Sequence, residues 1–287
     1  MGKVVAIDPH PEAVSDATSK FLITDRRDRP ALFVILSSAA FPSSVADGAT
    51  RTMEARSCLS PKTSLNVLLP LHVGYSDGAS YSVYPYCNNL GRTRLVRAWN
   101  RRWLRQSLSE WLLAVCRETV VSPPSAKIEA NFIAPLKAVV DHRLLSIDLR
   151  QTARMAISEI ETGKWQPQHA LAHNDLWEGN VLLPNQIGST SPPSFVAIDW
   201  GGSKNSGYAI YDLARMAVSF RMPESQVTRE IKRHSEALSC SPQQARNHLV
   251  AAIGGLALDL GYFPEGSFAL MATEVMSLVN RCTSSID

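Results

Sequence analysis

The feature that most restricts the fold of this 287-residue chain is a change of apolar pattern about a third of the way along it. Up to about residue 90, short apolar runs alternate with turn-forming residues, a pattern typical of β-strands. After Gly91, apolar residues recur at helical spacing, which predicts amphipathic helices. We therefore expect an α+β fold with two lobes: a small β-rich N-terminal lobe at 1–88 and a larger, mainly helical C-terminal lobe at 89–287.

Two pairs of apolar runs predict hairpins in the first part of the chain. Lys20 to Thr24 and Ala31 to Leu36 flank a charged turn with a proline, and Val67 to Val73 and Tyr81 to Tyr86 flank Gly-Tyr-Ser-Asp-Gly. The segment between the two pairs, Val45 to Leu59, is predicted to be a helix.

The second part of the chain is predicted to be helical with one β interruption. Leu95 to Val115 and Leu149 to Ile160 have helical periodicity, Ser241 and Pro242 resemble a helix cap and first turn, and Phe268 to Val279 predicts the last helix. Three short apolar pieces predict strands within this part: Ala170 to Ala172, Val181 to Leu183 and Phe195 to Ile198.

Composition excludes some classes of protein. An apolar share of 45% and a charged share of 19% are those of a globular chain rather than a disordered one. The formal net charge of +3 is too small to make nucleic acid or an anionic membrane an obligatory partner. No apolar stretch is long enough for a membrane span, and five scattered cysteines suit a reducing compartment, so we expect a cytoplasmic protein. Composition does not indicate an oligomeric state.

The residues best suited to chemistry lie in two stretches, His173 to Leu183 and Phe195 to Trp200. Asp175 is followed five positions later by Asn180, and Asp199 comes at the end of a predicted strand. Carboxylate and amide oxygens are hard ligands that Mg²⁺ prefers. Because phosphoryl transfer needs mainly positioning and charge neutralisation, these three residues are candidates to orient an acceptor hydroxyl and hold a metal ion.

This ordered set resembles the aminoglycoside phosphotransferase and choline kinase family, whose fold is like that of protein kinases. The likeness is to the family's His-x-Asp-x-x-x-x-Asn loop and its apolar-Ile-Asp-Trp strand, and Asp-Leu-Trp-x-Gly-Asn is also similar to fructosamine kinases. The resemblance implies that Asp175 is the catalytic base, that Asn180 and Asp199 hold Mg²⁺, and that His173 braces the loop. ATP or GTP would be the phosphoryl donor.

A downstream segment extends the resemblance. Tyr211 to Arg215 is similar to the family's Asp-Leu-Ala element, which implies that Asp212 tethers the catalytic loop from a helix. Each residue also has an ordinary structural role open to it when taken alone: an aspartate in a turn, at a strand end or at a helix cap, or a histidine in the core. Trp177 and Trp200 are interpreted as packing residues, with substrate stacking as the alternative.

The N-terminal lobe departs from the family pattern. The strand Ala31 to Ser38 contains no lysine or arginine, although the resemblance places Glu54 where the glutamate that pairs with a strand lysine belongs. Lys20 on the preceding strand is a candidate replacement, with a solvated lysine as the alternative. Ser15 to Lys20 contains no glycine, so no glycine-rich phosphate loop is predicted. Tyr86 lies where the family's hinge would contact the nucleotide base through backbone groups, and an ordinary connection is equally consistent.

A basic run at the start of the predicted helix Leu95 to Val115 has two interpretations. It could contact phosphates or an acidic polymer, but a solvated helix face is the favoured interpretation, so nucleic acid is not an expected partner. Four of its residues lie on one helical stripe: Arg94, Arg97, Arg101 and Arg105.

The sequence therefore predicts a Mg²⁺-dependent small-molecule kinase, with a pseudokinase-like binding protein as the alternative because the strand lysine is missing. From Gly201 to Asp287 there are eight acidic and eight basic residues, which gives no support for a polycation pocket. A sugar, a sugar derivative or an amino alcohol is the expected acceptor.

Overall fold

The computed structural model describes residues 3–7, 18–185, 193–261 and 263–283. It divides into two compact units, which we call the sheet unit (residues 1–100 and 179–203) and the helical unit (residues 101–178 and 204–287). The functional division into a nucleotide-binding lobe at 1–88 and a lobe with the catalytic loop at 89–287 stays a prediction. Ser15 to Ala17, from the stretch for which no glycine-rich phosphate loop is predicted, lie outside the described residues.

The secondary structure follows the predicted order of strands and then helices. The strands are β1 (Val4–Ile7), β2 (Ser19–Thr24), β3 (Pro30–Leu36), β4 (His72–Ser76), β5 (Ala79–Pro85), β6 (Cys87–Asn88), β7 (Ala170–Ala172), β8 (Val181–Pro184), β9 (Val196–Ala197) and β10 (Lys204–Gly207). The helices are α1 (Ser44–Ser57), α2 (Arg94–Thr119), α3 (Ser125–Ile128), α4 (Ala134–Asp141), α5 (Ile147–Glu161), α6 (Ala209–Ser219), α7 (Glu224–Ala237), α8 (Pro242–Ala257) and α9 (Glu265–Thr283). A π-helical turn at Glu129–Ile133 joins α3 to α4, and 3₁₀ turns lie at Thr63–Asn66, Glu178–Asn180 and Trp200–Gly202.

An antiparallel sheet of five strands, in the order β1-β2-β3-β5-β4, forms the main part of the sheet unit. Its first predicted hairpin is confirmed as β2 and β3. The turn between them is held by Asp25, whose Oδ1 accepts the backbone N–H groups of Arg27 at 2.7 Å and Arg29 at 3.0 Å. Such side-chain acceptors are what make aspartate a turn residue.

The second hairpin is shifted from its predicted position. The strand expected at Val67 to Val73 begins only at His72 and continues to Ser76. Val67 instead makes a parallel bridge to Ala197, and the next backbone N–H, that of Leu68, donates to the carbonyl of Ala197 at 3.1 Å. The start of the apolar run is therefore extended because it pairs with a distant segment, and only its end, from Leu71 to Val73, pairs with β5.

Helix α1 covers one face of the five-stranded sheet. Its buried residues lie along one side, and the backbone N–H of Ala46 donates to the hydroxyl of Ser80, a fully buried residue of β5. Because alternate residues of a strand share a face, Ser82 lies on the same face as Ser80. The residues of α1 that face the sheet unit are small: Val45, Ala49, Thr52 and Ala55.

The helical unit is built around α8, which packs against α4, α5, α6, α7 and α9. The predicted start of α8 is confirmed by a capping box, in which Ser241 accepts the N–H of Gln244 and the Gln244 side chain accepts the N–H of Ser241. A proline in the first turn adds to this signal because its missing N–H has no role there. The two-stranded sheet of β7 and β10 completes the unit.

All five cysteines have free thiols, in agreement with their scattered positions in the sequence. Of the helices in the described residues, none combines the length and apolar character that crossing a membrane requires.

The contact between α8 and α4 gives the first testable prediction. A methyl group added at Gly254 would lie 1.9 Å from the backbone oxygen of Pro135, so Gly254→Ala should separate the two helices and lower the free energy of unfolding by about 2 to 3 kcal/mol. Gly266 is a helical glycine of α9 with nothing within 4 Å of such a methyl group, and Gly266→Ala should be neutral or stabilise by up to about 1 kcal/mol. Urea denaturation of both variants measures the difference. Equal stabilities would show that the two helices adjust without cost.

Candidate active site in two parts

The helical unit holds the predicted catalytic loop through Asp212. This residue lies in the first turn of α6 and is buried. Its Oδ2 accepts the backbone N–H of His173 at 2.6 Å, and its Oδ1 accepts that of Asn174 at 2.9 Å. Both carboxylate oxygens therefore hold the backbone that leads into Asp175, which is the tethering geometry that the sequence resemblance implies.

Burial makes the ionised form of Asp212 costly. Desolvation raises the pKa of this carboxyl from 3.8 to about 6, while His173 and the two backbone N–H donors lower the pKa and thus limit the rise. The burial effect outweighs the hydrogen bonds because a fully buried carboxylate loses most of its hydration.

The loop reaches Asp175 through an unusual backbone conformation. Asn174 has φ = 66°, in the left-handed region that asparagine adopts more readily than most residues. The N–H of Asp175 donates to Nδ1 of buried His173 at 3.3 Å, so the histidine braces the loop from within. The Asp175 carboxylate itself is 51% exposed, and its Oδ1 lies 3.4 Å from Nη2 of Arg215. The loop thus presents an accessible carboxylate whose orientation a cation helps to fix.

The loop after Asp175 is anchored further along the chain. The N–H of Glu178 donates to the Ser219 hydroxyl at 2.7 Å, and its carboxylate pairs with Arg101 at 3.0 Å. Leu176 is fully buried, whereas Trp177 is 42% exposed. Trp177 is therefore only partly a packing residue.

The sheet unit holds the predicted metal ligands at one end of a short hairpin. Strands β8 and β9 pair antiparallel with Val181 opposite Ala197, so the register places Asn180 opposite Ile198. The N–H of Ile198 donates to the carbonyl of Asn180 at 3.0 Å, which confirms that the ladder continues by one residue. Asp199 follows directly. The two predicted ligands are thus brought together at the same end of the hairpin.

The surroundings of Asp199 are those of a constrained position. Its backbone is left-handed, with φ = 63°, at the start of the 3₁₀ turn Trp200–Gly202. Trp200 is buried and its indole N–H donates to the carbonyl of Ala197 at 3.2 Å, so the packing role predicted for this tryptophan is confirmed. A non-glycine residue held in this conformation costs free energy and is found where the surroundings require it.

Two residues of the sheet unit that sequence reasoning did not single out lie beside this turn. Tyr84 of β5 has a raised pKa, chiefly because of burial and also because of the negative charge of Asp199. Arg51 of α1 donates a guanidinium hydrogen bond to the carbonyl of Gly201. The sequence alone does not identify Arg51, because the side of α1 that faces the sheet is set by tertiary contacts.

Arg215 is another residue to which the sequence assigns no role. It lies three residues after Asp212 on α6, and residues at this spacing share a helix face. The three-residue spacing therefore indicates that Asp212, which tethers the loop, and Arg215, which pairs with Asp175, share one face of α6.

The strand register defines the face of the sheet on which Lys20 lies. In the ladder Lys20 lies opposite Ile35 of β3, and Ile35 lies opposite Ser82 of β5. Residues directly opposite in antiparallel strands point to the same face. Lys20 therefore shares the face of the sheet that α1 covers, although its side chain is exposed.

Glu54, which the resemblance places where the glutamate that pairs with a strand lysine belongs, has an exposed side chain on α1. It lies about 180° around α1 from Val45, which is one of the buried residues. Within the described residues Glu54 forms no ion pair. The buried side of α1 is set by small residues, and Glu54 shares the exposed side with Arg51, three residues earlier. The role of Glu54 in nucleotide binding stays a prediction.

The predicted hinge is partly used within the fold. The N–H of Tyr86 donates to the carbonyl of Ala31 at 3.0 Å, so it extends the sheet and is not available to a nucleotide base. Cys87 and Asn88 then pair with Pro184 and Leu183 as strand β6. A base contact at Tyr86 would have to use its carbonyl oxygen.

The basic stripe of α2 is not a uniform charged face. Arg101 pairs with Glu178, and Arg105 donates to the carbonyls of Phe220 at 3.0 Å and Arg221 at 2.6 Å. These two side chains are therefore structural. Arg94 and Arg97 are exposed, as a solvated helix face predicts.

Comparison with solved structures identifies the fold. A point variant of aminoglycoside 2′-phosphotransferase-IIIa in complex with GDP matches with a TM-score of 0.53 and 16% identity, over 99% of this chain and 92% of that one. This chain has a kinase-like fold. A choline/ethanolamine kinase family protein from Mesorhizobium loti matches with a TM-score of 0.51 and 12% identity, over 99% and 92% of the two chains. A candidate fructosamine-3-kinase from Haemophilus somnus 129PT matches with a TM-score of 0.51 and 15% identity, over 98% and 92%.

These matches confirm the predicted kinase-like α+β architecture, with an antiparallel sheet first and a mostly helical part after it. No protein-family model matches the sequence. No curated protein matches it either. The likeness at such low identity is one of fold, and the assignment of individual site residues rests on the geometry above.

The buried carboxylate gives a prediction about pH. The pKa of Asp212 in the folded protein, about 6, lies above its ordinary value of 3.8, so folding favours the protonated form. This contribution to stability is present in full below about pH 4 and is lost as the pH rises to about 6. Asp212→Asn removes it, so the unfolding free energy of the wild type should fall relative to that of the variant over this range. Urea denaturation from pH 4 to pH 7 measures it.

The exposed Asp141 provides the matched control, since Asp141→Asn also removes one carboxylate from the helical unit. Parallel profiles for the wild type and Asp212→Asn would contradict the assigned pKa of Asp212.

Proposed function

We propose that this protein transfers the γ-phosphoryl group of ATP or GTP to a hydroxyl of a small molecule, with Mg²⁺. The observation that carries the proposal is the register of β8 and β9, which sets Asn180 and Asp199 at the same end of one hairpin. A backbone-held pair of oxygen-bearing side chains is what a metal–phosphate site needs. The kinase-like fold supports the same class of reaction.

The donor set fits a small divalent cation. Asn180 is buried and has an amide oxygen. The carboxylate of Asp199 is near enough to Tyr84 for its negative charge to help raise the pKa of that hydroxyl. The amide oxygen and the carboxylate are hard oxygen ligands of the kind Mg²⁺ binds alongside substrate phosphates. When bound, Mg²⁺ supplies neutralisation of phosphate charge. Asn180 and Asp199 would hold it.

Asp175 would orient the acceptor hydroxyl and take its proton. Its carboxylate is accessible, and three groups position it: Asp212 through the backbone of the loop, His173 through the N–H of Asp175, and Arg215 through an ion pair. Positioning of this kind is the protein's main contribution to phosphoryl transfer. Arg215 is a positioning residue in this scheme.

Lys20 is the proposed cation for the nucleotide phosphates. It comes from β2 rather than β3, and its register places it on the face of the sheet that carries α1. A nucleotide donor is supported by the GDP bound to the aminoglycoside 2′-phosphotransferase with the same fold.

The acceptor is proposed to be a sugar, a sugar derivative or an amino alcohol. The charges of the C-terminal segment are balanced, and several of its acids are already paired, for example Glu224 with Arg281 and Glu230 with Arg229 and Arg233. Acids engaged in such pairs are poor candidates to bind a polycationic acceptor.

A second candidate function is nucleotide binding without turnover. The absence of a cation on β3 favours it, and in the described part of the chain Glu54 forms no ion pair with a lysine. The two candidates differ in turnover: the first experiment that follows tests the nucleotide binding they share, and the second separates them.

Nucleotide should stabilise the folded protein, and Mg²⁺ should increase the effect, because a ligand that binds only the folded state raises its stability. We expect a shift of several degrees in the melting temperature at millimolar ATP or GTP. Lys20→Met should reduce the shift, and Lys62→Met, a change at an exposed lysine of the same unit, should not. Differential scanning fluorimetry measures all three proteins. Absence of any shift with either nucleotide would argue against both candidate functions.

Asp175→Asn should lower kcat at least about a hundredfold while nucleotide binding is retained, because the change removes the proton acceptor and keeps the shape of the side chain. Transfer of labelled γ-phosphate to a panel of sugars and amino alcohols provides the assay. Asp141→Asn is the control and should keep full activity. Undiminished turnover by Asp175→Asn would exclude this residue as the base, and a panel with no acceptor would favour the binding protein.

A further inference from the structure

The helical unit contains an arginine-lined groove that the proposed kinase activity does not use. The groove has a volume of about 500 Å³ and lies between the face of α2 near Arg102 and the first turns of α7. None of its lining residues belongs to the candidate active site described above. They are Arg102, Arg105, Gln106, Pro223, Ser225, Gln226 and Arg229.

The charged side chains that line the groove are all positive. Its described lining includes three arginines and no carboxylate. Arg229 pairs with Glu230, but Glu230 is shared with Arg233, which in turn pairs with Glu110.

The positive charges of Arg102 and Arg105 remain without a matching acid in this neighbourhood. Glu224, at the start of α7, already pairs with Arg281 and does not offset them. In the described part of the chain Arg102 forms no ion pair.

One arginine of the groove is held rigidly. The guanidinium of Arg105 donates to two backbone carbonyls, those of Phe220 and Arg221, at the end of α6. Arg221 itself is left-handed, with φ = 51°, so the turn that receives these bonds is tightly defined. A side chain fixed in this way loses little conformational entropy when it meets a ligand.

The positive charges also act on one another. The pKa of Arg105 is lowered, first because of burial and then because of the charges of Arg102 and Arg101. Repulsion of this kind is relieved when an anion enters.

We propose that this groove binds a small phosphate-bearing polyanion, such as a polyphosphate or an organic phosphate. Guanidinium groups match the oxygens of a phosphate in pairs of hydrogen bonds, and Ser225 and Gln226 add hydroxyl and amide donors. The volume falls within the range of about 300 to 1,000 Å³ that small organic ligands occupy, so the ligand is larger than a single orthophosphate.

A small ligand fits better than an extended polymer. Of the arginines along α2, Arg101 is neutralised by Glu178, which interrupts the basic stripe that a nucleic acid or an acidic chain would follow. The uncompensated charge lies in the groove between α2 and the first turns of α7.

Isothermal titration calorimetry of the full chain with inorganic tripolyphosphate at low ionic strength tests the proposal. The wild type should bind one tripolyphosphate in the groove, and Arg102→Ala and Arg229→Ala should each weaken that binding at least about tenfold. Both variants should fold, because Arg102 has no ion pair to lose among the described residues and Glu230 keeps Arg233. Arg143→Ala removes the same charge from an exposed position of the same unit and should change the affinity less than about twofold.

Four results would overturn the proposal: no binding of tripolyphosphate, equal weakening by Arg143→Ala, binding that Lys20→Met removes while Arg102→Ala leaves it intact, or Arg102-dependent binding of RNA or anionic vesicles without binding of tripolyphosphate. The third result would assign the anion to the proposed nucleotide site, and the fourth would assign the groove to a macromolecule. The readout is affinity, so the test does not depend on whether the protein is an active kinase.

Discussion

The proposed catalytic loop depends on two hydrogen bonds, which the Asp212 carboxylate accepts from two consecutive backbone N–H groups. A backbone that passes through the left-handed region at Asn174 cannot continue the strand pairing of β7, so its N–H groups need another acceptor. Asp212 provides both bonds from a helix whose buried face fixes it in place. The unfavourable burial of one carboxylate thereby gives the loop a single conformation.

Much of the architecture was predictable from local pattern. The turn at Asp25, the cap at Ser241 and the strands either side of the catalytic loop are encoded by short-range chemistry, and each is found where that chemistry predicts it. The candidate site residues were predictable for a related reason. Oxygen-bearing side chains at fixed spacing around two apolar strands seldom occur together by chance, so the whole set is a much stronger signal than any one member.

Other features depended on contacts between distant parts of the chain. The run at Val67 is extended because it pairs with Ala197, and no property of the run itself indicates that partner. Small residues form the buried side of α1, and Glu54 lies on its exposed side. The role of Arg105 is equally non-local, since it caps a helix more than a hundred residues away. For α1 and α2 periodicity predicts the element, and tertiary packing decides which side chain faces which neighbour.

The chain passes from one compact unit to the other after Asn100, Glu178 and Ser203. The sheet unit is therefore not encoded by one uninterrupted stretch, and its β8–β9 hairpin is synthesised only after the first half of the helical unit. A nascent chain that ends at residue 100 would contain all five strands of the main sheet but would lack Ala197, the partner of Val67, as well as Asn180 and Asp199. The sheet unit is thus completed only after residue 203 has been synthesised, and a fragment that ends at residue 100 would be an unfinished unit.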